Sequence, residues 1–268
     1  MEQELFIVFG GGCFGTHHTR HVEKGRTRNR ISPDTRLIMV DRNPHPPALD
    51  LPEIADNSNL TYVQSDWLDY MKANWDTLPP DTQAIPAPVA PHLAFDWLVW
   101  SVQQRLGPSA ISVQPMTHNF GGLPYEYLAP AGVRYISAAD WICPTNCRAP
   151  HICPMTRDVR TWELADTVNA YAASTPDTTA AAIVLQPRFR VPGVDTLRLH
   201  EYTNARDLVV KLATQPERQG KEIVVATVSP CHGAVSLLRI GDPSPTVNTS
   251  QARSLEPQSA LILSPTDH

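Results

Sequence analysis

Short, continuous apolar runs alternate with amphipathic stretches along most of this chain, and the alternation predicts an α/β protein. Leu5–Phe9 is uninterrupted apolar sequence, the pattern of a strand buried on both faces, and residues 37–40 and 60–63 repeat it. Residues 67–75 read as a helix with Leu68 and Met71 turned inward. Residues 92–106 set Phe95, Trp97, Leu98, Trp100 and Val102 at helical spacing and close at Gly107-Pro108, a stop signal. The same reading gives a helix over about 162–172, a strand at 181–185, a helix over about 204–213 and a strand at Glu222–Val228. Two α/β units are expected, 1–115 and a smaller one at 116–240. A tail over 241–268 is rich in Ser, Thr, Pro and Asn, has only 260–263 able to pair as a strand, and is expected to be loosely held.

The first run enters Gly10-Gly11-Gly12-Cys13-Phe14-Gly15, a G-x-G-x-x-G pattern between a predicted strand and a predicted helix. Gly10 permits the tight turn, Gly12 lets the backbone approach a pyrophosphate, and Gly15 lets the helix pack close to the sheet. Backbone N–H groups at the helix start then face the phosphates. Asp41 ends the second strand, where a carboxylate accepts hydrogen bonds from an adenosine ribose and repels a 2′-phosphate. NAD is therefore favoured, while Arg42 keeps NADP open. Asp41 lies beyond the roughly 20 residues usual after the glycines, and the basic insertion between Gly25 and Asp34 accounts for the excess. Asp66 follows the third strand, at the carboxyl edge of the sheet where ligands bind. A small side chain at Cys13 fills the turn, the alternative being a redox-sensing thiol at a helix N-terminus. His92 begins the tryptophan-rich helix, as a cap or packed side chain or as a ligand contact.

On Gly10, Gly12, Gly15, Asp41 and Asp66, residues 1 to about 107 resemble the Rossmann-type NAD-binding domains, and more narrowly the TrkA-N kind found in potassium-transport regulators. The resemblance implies a Rossmann-like parallel sheet holding a dinucleotide at those five residues; a sheet of this kind that holds no nucleotide is the alternative. The long basic insertion and the proline-rich connection at 79–91 depart from that pattern.

Chemistry in the second half rests on cysteine. Cys143, Cys147 and Cys153 occupy eleven consecutive positions, and Cys231-His232-Gly233 follows the last predicted strand. Thiolates at that density repel one another unless a metal or a disulfide neutralises them. Prolines after Cys143 and Cys153 remove donors and stiffen the loop, as in loops that wrap iron–sulfur centres. Zinc and a [4Fe–4S] cluster both accept four thiolates, and a set in which His232 or His151 replaces one cysteine suits zinc. Iron–sulfur is preferred for the Cys-Pro pairs and for its chemical sense beside a nicotinamide; unligated thiols are the plain alternative. The whole chain also resembles a family of anaerobic bacteria in which a Rossmann domain precedes a Cys-Pro-x-x-Cys loop and a late Cys-His-Gly.

Composition narrows the partners. A formal net charge of −5 and a pI near 6.0 argue against nucleic acid, although residues 20–36 form a basic patch, either a solvated helix face or a phosphate or partner contact. Glu2 and Glu4 lead straight into a strand, with no secretory signal, and no apolar run approaches the roughly 18 residues of a membrane span. A cytoplasmic protein is expected, in which metal ligation is favoured over disulfides. The tryptophan-rich helix is core or a subunit surface, which leaves a homo-oligomer open. These readings converge on an NAD(H)-binding iron–sulfur or zinc protein, an oxidoreductase or an electron-transfer component with a redox partner protein. The alternative is a non-enzymatic nucleotide-sensing module with structural zinc.

Overall fold

A computed structural model describes residues 4–86, 90–144, 147 and 149–241. The tail expected over 241–268 therefore lies outside the described residues beyond Gly241, and so does its strand at 260–263. The fold is mixed α/β with two six-stranded sheets.

The first sheet holds β1 (Leu5–Phe9), β2 (Arg36–Asp41), β3 (Leu60–Gln64) and β4 (Gln83–Ile85), with β9 (Arg188–Val191) and β10 (Val194–Arg198) joining from far along the chain. Its order is β3-β2-β1-β4-β10-β9. The pairs among β1 to β4 are parallel and the last two pairs are antiparallel. The second sheet runs β6 (Tyr125–Leu128), β7 (Arg134–Ser137), β12 (His232–Ile240), β11 (Glu222–Val228) and β8 (Thr179–Leu185), and β5 (Ile111–Gln114) pairs with the far half of β12. Only β8 and β11 are parallel there.

Strand alternation sorts side chains into layers. Phe6 and Val8 point outward against Val22 of α1 (Cys13–Thr27). Ile7 and Phe9 point the other way, into a core shared with α3 (Trp67–Asn74), α4 (Leu93–Leu106) and α6 (Leu199–Ala213). Ile223, Val225 and Leu238 of the second sheet close that same core from the opposite side. Their neighbours Val224, Ala226, Val235 and Leu237 face outward onto Leu164 and Val168 of α5 (Leu164–Ser174). A short α2 (Pro52–Ala55) buries Ile54 beside Met39. Helices thus lie outside both sheets and between them.

The central layer is aromatic. Tyr202 meets Trp75 edge-on at 5.5 Å and Trp97 edge-on at 6.0 Å. Burying each such ring contributes on the order of 2 kcal/mol. The buried guanidinium of Arg206 lies 5.5 Å from the Trp97 ring centre and is paired with Asp76 and Asp207, so the charge does not stand alone in the core. Trp97 and Phe95 are buried, which makes α4 core at those positions. Among the described residues no helix is long and apolar enough to cross a membrane.

Candidate functional site

The turn from β1 into α1 is fixed from below and open above. Gly10 has φ +93°, and its N–H donates to the Val40 carbonyl at 2.8 Å. The Trp67 indole N–H donates to the same carbonyl at 3.0 Å, and its ring lies against Gly10. A Cβ on Gly15 would stand 1.7 Å from the Gly10 oxygen, so only glycine lets the first turn of α1 lie on the loop. Gly11 is covered by Pro46, and its carbonyl accepts from the Ala48 N–H at 2.9 Å. Gly12 differs: among the described residues a Cβ there would meet nothing within 4 Å. It caps α1 without a side-chain hydrogen bond, and the first turn of the helix carries no acid.

Asp41 closes the arrangement. Its Oδ2 accepts from the Gly11 N–H at 2.6 Å and its Oδ1 from the Asn43 N–H at 2.8 Å. A carboxylate has about four acceptor positions, so two remain for a ligand's hydroxyls. Asp66 serves the fold: it caps α3, accepting from the N–H groups of Leu68 and Asp69 at 2.9 and 3.3 Å. Cys13 is exposed at the start of α1, and His92 precedes α4 without capping it through its side chain. The basic patch is partly spent internally, with Arg20 paired to Glu53 and Arg26 to Glu23.

The cysteines come from three segments. Cys231 sits in the tight turn between β11 and β12, where Ser229 Oγ accepts from the N–H groups of Cys231 and His232 at 3.2 and 3.1 Å. Cys153 lies in a small hairpin closed by Arg160 N–H to His151 O at 2.7 Å and Cys153 N–H to Asp158 O at 2.9 Å, with Arg157 at φ +63°. Cys143 and Cys147 precede that hairpin.

The Cys143 and Cys231 thiols each feel the charge of other cysteines. Burial pushes the Cys143 thiol up, and the nearby Cys147, Cys231 and Cys153 push it further. Burial also raises Cys231, the Trp162 indole and Arg160 work the other way, and Cys147 and Cys153 add repulsion. Cys153 moves down: the Thr156 backbone N–H, the Met155 N–H and the Thr156 hydroxyl all favour its thiolate, against some burial. The Trp162 Nε1–H donates to Cys231 Sγ at 3.3 Å, and the Trp141 ring meets Trp162 at 6.0 Å. All five cysteines are free thiols. His151 and His232 are exposed. Among the described residues no three His, Cys, Asp or Glu side chains already form a metal shell. The donors at Cys153 favour its thiolate, whereas burial outweighs the Trp162 donor at Cys231 and favours the thiol there.

Sequence reasoning misses Trp162, Arg160 and Thr156 as neighbours of the cysteines. The four-residue turn Cys153-Pro154-Met155-Thr156 is the signal that could have found Thr156, since a tight turn after a cysteine aims its N–H groups back at the sulfur.

Residues 94–241 match the AF_1314_C family, described as "Uncharacterized protein, C-terminal domain". That is more than half of the chain, which belongs to this family. It is also similar to an uncharacterized protein of Archaeoglobus fulgidus, 28% identical over 250 residues that cover 87% of this chain and 98% of the relative. No solved structure matches the chain.

Proposed function

We propose that the chain binds a dinucleotide, NAD(H) ahead of NADP(H), and that Cys143, Cys147, Cys153 and Cys231 hold an iron–sulfur cluster in a second α/β unit. The protein is on this reading an oxidoreductase or an electron-transfer component. The observation that carries it is the uncapped start of α1, open at Gly12 and flanked by Asp41, whose carboxylate is held by Gly11 and Asn43. Strand order supports it. The chain leaves β1 toward β2 on one side and returns as β4 on the other, with α1 and α3 on opposite faces. In a Rossmann-like sheet the crevice at such a reversal takes the ligand. Asp41 would receive the adenosine ribose, and its charge would disfavour a 2′-phosphate.

For the second centre, repulsion among thiolates at Cys143, Cys147, Cys153 and Cys231 is what a bound cation or cluster would relieve. A cluster, when bound, supplies one-electron chemistry. On this reading the chain's own part would be to supply Cys143, Cys147, Cys153 and Cys231 from three segments, with N–H donors near Cys153 and Cys231.

Full-length protein purified without oxygen tests both halves. Iron and acid-labile sulfide in stoichiometric amount, together with calorimetric binding of NADH, are expected. Asp41→Ala should weaken NADH about tenfold, the loss of a charge-assisted hydrogen bond. Zinc in place of iron would end the redox reading of the cysteines, and no saturable binding at millimolar NAD(H) would end the nucleotide reading.

A further inference from the structure

A second cleft, unrelated to the glycine turn or the cysteines, opens on the α5 side of the second sheet. It encloses about 260 Å³. Buried Met116 and Leu237 line it together with polar Gln114 and Thr117. One wall is a stacked pair, His118 and Tyr171, with ring centres 4.0 Å apart and planes 26° from parallel. Phe120 braces both rings edge-on, at 5.4 and 5.6 Å. Facing them is Glu222, the first residue of β11.

Among the described residues, the Glu222 carboxylate makes no hydrogen bond and no ion pair. Its backbone N–H is engaged with Thr178 O at 2.8 Å, which fixes where the side chain starts. Arg239 stands opposite it in the β11–β12 ladder, yet the two do not form a salt bridge, and among the described residues no lysine or arginine lines the cleft. A half-buried carboxylate without a counter-ion is costly. Tyr171 registers the same charge, since its hydroxyl is raised by burial and then by Glu222.

The rim is held rigidly. Arg134, buried on β7, donates from Nε to Met116 O at 3.0 Å and from Nη2 to Thr117 O at 2.9 Å, and is paired with Glu126. The Met116 N–H donates to Gly132 O at 2.8 Å. The segment that carries His118 is therefore tied to the sheet, and the cleft needs little rearrangement to receive a ligand.

We propose that this cleft binds a small organic cation, an ammonium group on a compact apolar body. Glu222 supplies the counter-charge, the His118–Tyr171 stack presents one outer ring face to the cationic head, and Leu237 contacts the carbon atoms. The volume suits a ligand below drug size.

Calorimetric titration of the full-length protein with n-butylammonium and with tetramethylammonium, at constant ionic strength, is the test. Saturable binding of at least one probe is expected. Glu222→Gln, nearly the same shape, should weaken it about tenfold or more, as loss of the charge partner requires. Tyr171→Leu should also weaken it, and Glu217→Gln, at an exposed residue that does not line the cleft, should not. With ring-labelled tyrosine in the unaltered chain, resonances of Tyr171 should shift on titration, which locates the probe even if a variant fails to fold. Absence of saturable binding by both probes, full affinity in folded Glu222→Gln, or shifts that spare Tyr171 would each overturn the proposal.

Discussion

Glycines 12 and 15, three positions apart, show how differently one residue type can serve. At Gly15 the missing Cβ is structural, because the Gly10 carbonyl occupies its place. At Gly12 it leaves room and nothing more. Gly15→Ala should therefore destabilise the protein by about 3 kcal/mol, the upper range of overpacking, measured as a shift in the urea midpoint. Gly12→Ala should change stability by less than about 1 kcal/mol while weakening NADH binding. A dinucleotide affinity left intact by Gly12→Ala would mean that the open end of α1 is not where the phosphates lie. A second residue-scale effect comes from the histidines on α1. His18 is lowered from 6.5 to about 4, first by burial and then by His17 and His21. The folded state thus holds His18 neutral where the unfolded chain, at 6.5, takes up a proton. Stability is complete above 6.5 and is lost as pH falls from there toward 4. The loss between pH 7 and pH 5 should be about 1 to 2 kcal/mol, and His18→Gln should flatten the profile. An unchanged slope in that variant would remove His18 as its source.

Elements differed in how much of themselves they displayed in the sequence. β1 was legible to the residue because burial on both faces leaves an unbroken apolar run, and β11 was legible through its β-branched, apolar stretch Ile223–Ala226 between Glu222 and Thr227. α4 was legible through its periodic aromatics, starting one residue later than expected. α6 begins at Leu199, ahead of the expected 204, where Leu199 and Tyr202 already face the core and Glu201 Oε2 accepts from the Arg198 N–H at 2.7 Å. The short strands were not legible. β4 has three residues between prolines, β9 alternates arginine with apolar positions, and β10 carries polar Asp195 and Thr196 after Pro192-Gly193. β12, nine residues long, was hidden by the Cys-His-Gly motif at its start, although it sits inside the second sheet. The candidate sites divide the same way. Cysteine density and the glycine pattern are local and could be read directly. The Trp162 donor to Cys231 lies 69 positions away, and the Glu222 cleft is assembled from β5, β11, β12 and α5, so no local pattern announces either.

At the scale of the whole molecule, the layer between the sheets decides how the chain folds. Ile7 and Phe9 from the start of the chain, Trp75 and Trp97 from its middle, and Val209, Val225 and Leu238 from its end share one core. The first sheet also borrows β9 and β10 from residues 188–198, where Leu197 pairs with Ala84 and Arg190 reaches back to Glu4. A fragment of residues 1–115 would keep β1 to β4 and α4 but lose those two strands and α6. The apolar faces of α3 and α4 would then meet water, with Trp75 and Trp97 losing the contact to Tyr202. Burial scaling allows domains of that length to fold alone only when their core is their own. The fragment should accordingly show broad, non-cooperative melting and bind a dye for exposed apolar surface, whereas the full chain should unfold in one transition seen alike by tryptophan fluorescence and by circular dichroism. Two separated transitions in the full chain, or a cooperatively folded fragment, would show that the shared layer is a docking contact between independent units and not a common core.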